Sequence, residues 1–337
     1  MGIGVTTNRV HITTEITQKD VRELDKIENL KYIQIGNYIN NESLKLIDEY
    51  IMDRNQDIQF RIFSFDKTIC NLKFLEYIKH IKNISIDTLK SVEGLDYLGM
   101  LEGLEKLNIS VLDLDDIHFL NKISLNLKKM GISTASSKQQ IDLSILKRFP
   151  NLESLFLYNI KDDLKKLIDL KKLQKLTING INLPDLTNIN KTNIRDLSIG
   201  YINDCNLEHL RGNKKLNVLE LNKISKIDSI EILKELPNLS YVKLNQLSKI
   251  ERLPSLMNNK MLEHIVLDNM KGLKDVSELE FAPNLKHIEM YQMKLLEVDD
   301  IASILNNKNL INAKCFTGGI KKDRAIRALI KEKNLDF

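Results

Sequence analysis

One pattern recurs along most of the chain: an apolar residue, two variable positions, a second apolar residue, one variable position and a third apolar residue. The clearest copies are Leu152-x-x-Leu155-x-Leu157, Leu173-x-x-Leu176-x-Ile178, Ile194-x-x-Leu197-x-Ile199, Leu216-x-x-Leu219-x-Leu221, Leu239-x-x-Val242-x-Leu244, Leu262-x-x-Ile265-x-Leu267 and Leu285-x-x-Ile288-x-Met290. They follow one another at intervals from 21 residues (Leu152 to Leu173) to 23 (Leu262 to Leu285). Upstream stand Leu30-x-x-Ile33-x-Ile35, Phe60-x-x-Phe63-x-Phe65, Ile81-x-x-Ile84-x-Ile86, Leu104-x-x-Leu107-x-Ile109 and Leu127-x-x-Met130-x-Ile132; a degenerate Leu310-x-x-Ala313-x-Cys315 makes thirteen. Alternation of period two predicts a short strand in each copy. A single strand cannot bury its apolar face, so the units must stack into a parallel sheet over a shared core. The second half of each unit, such as 224–236, has helix-like apolar spacing and is expected to cover the other side of that core. Pro150, Pro237 and Pro283 each precede Asn-Leu and end the helical segment before a strand.

The ends depart from the pattern. Val10-His11-Ile12 reads as a strand, and Val21, Leu24 and Ile27 then give one helical face. Leu44, Ile47 and Ile51 give a second, in a helix that Asn41 or Ser43 is placed to cap. Gly318-Gly319 breaks the pattern, and Ile326, Leu329 and Ile330 predict a closing helix with a Lys- and Arg-rich polar side. The expected organisation is an N-terminal cap over 1–29, repeats over 30–317 and a C-terminal capping helix over 318–337, in one continuous body.

The L-x-x-L-x-L signature at these intervals resembles the leucine-rich repeat superfamily, from Leu30 to Phe316. The resemblance implies an α/β leucine-rich-repeat solenoid, a horseshoe or arc of about thirteen repeats. Its parallel sheet would line the concave side, and its convex side would be helical or irregular. One departure marks a divergent subclass. Intracellular and bacterial members of the family carry Asn three residues after the last strand leucine, whereas here Ile160, Ile181, Ile202, Ile224, Leu247, Met270 and Met293 stand there.

Composition narrows the function. The 337 residues are 42% hydrophobic and 28% charged, ample for a core and without a disorder signature. A net charge of +4 is too weak a field to argue for nucleic acid or an anionic membrane. Cys70, Cys205 and Cys315 are distant, odd in number and in no C-x-x-C pair, which suits reduced thiols in a cytoplasmic protein. No secretory signal and no long apolar run occur, so no membrane span is expected. Met1-Gly2-x-x-x-Thr6 matches the loose myristoylation pattern, although one acyl chain anchors weakly. Phosphate-binding Gly-rich loops, H-E-x-x-H, G-x-S-x-G and EF-hand patterns are absent, so neither catalysis nor a cofactor is expected.

What remains is surface. The third, fifth and seventh positions of each unit face away from the core, onto the expected concave face. There Tyr241, His264, His287, Tyr291 and Phe316 make an aromatic and imidazole patch edged by Lys243, Asp268 and Glu289, and Phe156 with Tyr158 makes a smaller one. Aromatics with a polar rim have the character of interface anchors; the alternative is that strand aromatics merely shield one another. His264, His287 and Glu289 have metal-ligand chemistry, but a flat sheet does not converge a tetrahedral ligand set, and no metal is expected. Asn179, Asn222 and Asn245 are expected to bond to one another across strands. The pairs Lys128-Lys129, Lys165-Lys166, Lys171-Lys172 and Lys214-Lys215 sit mostly among acids and read as solvated surface, which disfavours nucleic acid. The expected function is binding of a partner protein on the concave face, as an inhibitor or immunity-type protein or as an adaptor. Nucleic-acid or carbohydrate binding is the alternative, and strong salt dependence would separate the first from the second.

Overall fold

The computed structural model describes residues 3–36, 38–64, 69–89, 91–135, 141–160, 164–180 and 185–337. Gly2, Phe65 and Ile181, named above, lie outside the described residues. The chain divides into two compact units, Met1–Asp162 with Asp169–Leu173, and Asp163–Ile168 with Gln174–Phe337. No helix among the described residues is long and apolar enough to cross a membrane.

Each unit is a mainly parallel sheet backed by short helical turns. In the first, Ile3–Thr6 pairs antiparallel with Arg9–Ile12. Tyr32–Ile35, Gln59–Ser64, Asn83–Thr88, Lys106–Val111, Lys129–Ser133 and Ser154–Tyr158 then follow in parallel. In the second, Lys175–Asn179, Asp196–Ile202, Val218–Ile224, Tyr241–Asn245, His264–Asp268, His287–Tyr291 and Asn312–Cys315 are parallel throughout. The register stacks equivalent positions: Leu197, Leu219, Val242, Ile265, Ile288 and Ala313 form one row, Ile199, Leu221, Leu244, Leu267, Met290 and Cys315 another, and every member is buried.

One repeat has a different register from the expected one. Ile33 pairs with Phe60 and Ile35 with Ile62, so Phe60 and Ile62 point inward. Phe63 lies on the opposite face, where the Arg61 guanidinium sits 4.3 Å from its ring centre. The apolar run Ile62-Phe63 fits two registers, and strict strand alternation from Phe60 selects Ile62.

The backing segments also differ. Most are 3-10 turns, among them Leu95–Met100, Leu143–Arg148, Leu207–Leu210 and Glu231–Glu235. Regular α-helices occur at Gln18–Leu24, Asn41–Ile47, Val298–Ile304 and Ile320–Glu332. A 3-10 turn rises ~2.0 Å per residue against ~1.5 Å in an α-helix, so it crosses a short repeat with fewer residues. The cap of Asn41–Ile47 is Asn40, whose side chain accepts from the Ser43 N–H; Ser43 itself is buried and bonds to the backbone of Ile16.

The apolar turn has a clear structural role. Ile160, Ile202, Ile224, Leu247, Met270 and Met293 are all buried. The residue before each is left-handed: Asn159, Tyr201, Lys223, Gln246, Asn269 and Gln292 have φ between 49° and 58°. That reversal breaks the strand's alternation and turns the next side chain into the core. Left-handed backbone costs a non-glycine residue ~1–2 kcal/mol, which burial of the following aliphatic side chain, worth ~1.5–3 kcal/mol, offsets. Asparagine does stabilise this protein, but elsewhere: the Asn259 amide donates to the carbonyls of Leu233 and Leu236, and Asn307 to those of Leu279 and Ala282, tying each backing segment to the next.

The left-handed row is open to direct test. Gln246→Gly should raise stability by a few tenths to ~1 kcal/mol, and Gln246→Val should lower it by ~1 kcal/mol or more. Urea unfolding of the two variants reads the difference; the opposite order would refute a strain-bearing turn.

Candidate functional site

Parallel register brings the residues of the larger patch together. Tyr241, His264, His287 and Asn312 are successive partners across four strands, as are Lys243, Val266, Glu289 and Lys314, with Asn245, Asp268 and Tyr291 in the next row. Adjacent members stand ~4.8 Å apart at the backbone. The inward-facing residues between the rows, Val242, Leu244, Ile265 and Leu267, hold the strands from below.

The side chains interlock and do not project freely. The Tyr241 and His264 rings meet edge to face at 5.0 Å, and His264 and His287 at 5.6 Å. Tyr291 lies parallel to Phe316 at 5.9 Å, and Phe316 meets Phe337 edge-on at 5.3 Å. The Arg327 guanidinium covers Phe337 at 4.5 Å. Tyr291 donates its hydroxyl to Glu289 Oε2 at 2.6 Å. Glu289 Oε1 is 3.3 Å from His264 Nε2, and that buried ring nitrogen has no hydrogen-bond partner among the described residues. Val266, in the same row, is buried. None of Glu220, Lys243, Asp268 and Lys314 forms a salt bridge among the described residues.

Phe337 and Arg327 belong to this cluster and were not among the sequence candidates. The helix Ile320–Glu332 positions both, and after it the backbone pairs once more: Asp336 bridges to Asn312, with Asp336 N–H donating to Ile311 and Ala313 N–H donating to Asp336. The alternation Leu335-Asp336-Phe337 is the sequence signal for that pairing. Phe156 and Tyr158 lie on the sheet of the first unit, opposite Gly131 and Ser133 by register, and Tyr158 is exposed.

The asparagine row does not form the expected ladder. Asn222 donates to Ser198 Oγ at 3.5 Å, whereas the side-chain carbonyls of Asn179 and Asn245 are buried without partners among the described residues. Gly200 stands between Asn179 and Asn222, and a Cβ there would collide with Asn222, so that strand carries no amide. A polar network in the first unit replaces it as the notable cross-strand feature. Arg61 Nε is 2.6 Å from Asp87 Oδ2, and Arg61 also donates to Gln34 at 3.0 Å. Ser85 Oγ donates to Asp87 at 3.2 Å and accepts from Asn108 Nδ2 at 3.1 Å. No group of three His, Cys, Asp or Glu residues among the described ones could hold a metal ion.

Comparison with known proteins places this architecture. An internalin of Listeria monocytogenes, InlF, is similar over 94% of this chain and 90% of its own, at 18% identity and a TM-score of 0.57. Drosophila Toll, solved in complex with Spatzle, is similar over 92% of this chain and 50% of its own, at 13% identity and a TM-score of 0.56. No protein-family model and no curated protein matches the sequence.

Electrostatics in the patch follow from its packing. Burial lowers the His264 pKa below its ordinary 6.5, against the pull of Glu289, so the ring favours the neutral form. The Tyr291 hydrogen bond holds the Glu289 carboxyl below its ordinary 4.5 and pushes the Tyr291 hydroxyl up to about 12. The Tyr291 contribution to stability is therefore complete below pH 10 and lost as pH rises through about 12. For His264 the sign is reversed: its contribution is present above 6.5 and is lost as pH falls below that value, because the unfolded chain takes the proton first. In an alkaline ultraviolet titration, Tyr291→Phe should remove the highest-titrating tyrosine. Unfolding measured below pH 6.5 should be less pH-dependent in His264→Gln than in the wild type. Unchanged titration curves in both variants would contradict this geometry.

Proposed function

We propose that this protein, which has the leucine-rich-repeat fold, is a non-catalytic module that binds a partner protein on the open, expected concave, face of its sheet. Tyr241, His264, His287, Tyr291 and Phe316 are the anchors, Lys243, Asp268 and Glu289 the rim, and Phe156 with Tyr158 a subsidiary contact on the first unit. The observation that carries this reading is the packed cluster itself, in which Tyr241, His264 and His287 meet edge to face at 5.0 and 5.6 Å and Tyr291 lies parallel to Phe316 at 5.9 Å. Around the aromatic cluster, Lys243, Asp268 and Lys314 stay unpaired among the described residues. Interfaces of this kind combine a rigid aromatic centre with charges that steer the partner.

The chemistry of the thiols supports a binding role over a catalytic one. Burial pushes Cys70 up to about 11 and Cys205 and Cys315 to about 12, so none is a ready thiolate nucleophile. All three are free, which suits the reducing cytoplasm as the proposed location. Occlusion of a partner's active surface, by an inhibitor or immunity-type protein, and the joining of partners by an adaptor both use such a face. The parallel rings of Tyr291 and Phe316 favour carbohydrate stacking as the second reading.

A partner captured from native cells can be titrated calorimetrically against variants. Tyr241→Ala, His287→Ala and Tyr291→Ala should each weaken binding by ~2 kcal/mol, roughly thirtyfold. Leu267→Ala, on an adjacent strand position but facing inward, should lose ~2–5 kcal/mol of stability through its cavity and affect binding only through unfolding. A partner held equally tightly by all three surface variants would move the site off this face.

A further inference from the structure

The open face of the first unit has a different chemistry from the aromatic cluster. On the strands Asn83–Thr88, Lys106–Val111, Lys129–Ser133 and Ser154–Tyr158, the outward positions before Phe156 and Tyr158 are mostly short and polar: Asn83, Asn108, Ser110, Ser133 and Ser154 are part-exposed, and Ser85 is buried in its bonds to Asp87 and Asn108. Among them stand Lys106 and Lys129, direct partners in the parallel register. Like charges at directly opposed positions destabilise a sheet. Neither lysine forms a salt bridge among the described residues, although Lys106 is near enough to Glu105 to help hold that carboxyl below its ordinary value. The contrast is sharp one position earlier, where Lys128 is paired with Glu105 at 2.9 Å. The one acid on the same strands' open face, Asp87, is already neutralised by Arg61 at 2.6 Å. Gly131, next to Lys129, carries no side chain, and the Asn108 amide lies over it so closely that a Cβ there would collide.

We propose that Lys106 and Lys129, with the hydroxyls and amides around them, form a second docking surface, for an acidic helical segment of a partner protein. Two ammonium groups on adjacent strands, ~4.8 Å apart at the backbone, match carboxylates three or four residues apart on a helix, whose Cβ atoms are ~5–6 Å apart. Serine hydroxyls and the Asn83 side-chain amide supply further hydrogen bonds to carboxylate oxygens. Charge complementarity selects the occupant. Tight nucleic-acid binders neutralise ~6–10 phosphates, whereas these four strands offer two unpaired cations on this face, enough for a pair of carboxylates and too few to track a phosphate backbone. The surface lies entirely on the first unit and does not depend on the aromatic patch of the second.

Fluorescence anisotropy of a labelled glutamate-rich helical peptide against the full chain tests this assignment. The wild type should bind in a salt-sensitive manner. Lys106→Ala/Lys129→Ala should weaken binding by about tenfold, the size expected of two partly exposed ion pairs. Lys106→Arg/Lys129→Arg should retain binding, which separates loss of charge from loss of fold. Lys73→Ala/Lys79→Ala, removing two exposed lysines from the backing side, should also retain it. Tyr291→Ala should leave peptide binding unchanged, so that failure here and failure of the aromatic interface are read separately. Absence of salt-sensitive binding, equal loss in the Lys73/Lys79 control, or tighter binding of a single-stranded oligothymidylate of matched charge would each overturn the proposal.

Discussion

Every feature of this protein depends on the burial of one aliphatic row against the next. A strand such as Tyr241–Asn245 has two inward side chains, Val242 and Leu244, and by itself it exposes both faces. Stacked between Val218–Ile224 and His264–Asp268 in strict register, the same two become fully buried. Because the side-chain period is two, fixing the inward row fixes the outward one. The arrangement of Tyr241, His264 and His287 is therefore a by-product of aliphatic packing beneath them, and a change of register would dismantle the patch without altering any of its residues.

The turn that follows each strand enforces that register. In the second unit and at the end of the first, a left-handed residue reverses the chain and an apolar residue plugs the core beneath it. An apolar plug thus stands where the asparagine of the leucine-rich-repeat signature would be. It exchanges side-chain hydrogen bonds for backbone strain plus hydrophobic burial, two terms of similar size. The polar satisfaction that is lost reappears on the backing side, where Asn259 and Asn307 each bridge two carbonyls of a preceding segment.

The repeats, their inward rows and the larger patch were legible in the sequence because all three follow from periodicity. What periodicity does not encode was not. The repeat at Phe60 admits two registers, and only pairing with Ile33 selects one. The backing segments have apolar spacing compatible with α-helix and 3-10 helix alike. Six of the left-handed turn residues are Asn, Gln, Lys and Tyr, of which only Asn hints at that conformation; Gly180 alone declares it. The Asn179, Asn222 and Asn245 row looked like a ladder until Gly200 interrupted it. Phe337 and the Arg61–Asp87 network were hidden because their contacts join residues far apart in sequence, 337 with 316 and 61 with 87.

The hairpin formed by Ile3–Thr6 and Arg9–Ile12 bears on how the chain folds. Among the described residues it is the one antiparallel pairing, closed by a two-residue turn, whereas Val10 and its parallel partner Ile33 are separated by 23 residues. A hairpin closes in ~1–10 μs, far ahead of pairings that must first enclose a long loop. Arg9–Ile12 thus gains one partner locally and the other, Tyr32–Ile35, across a backing segment. The hairpin strand Ile3–Thr6 thereby covers a row of N–H and C=O groups on Arg9–Ile12 that would otherwise be open to pairing with another chain.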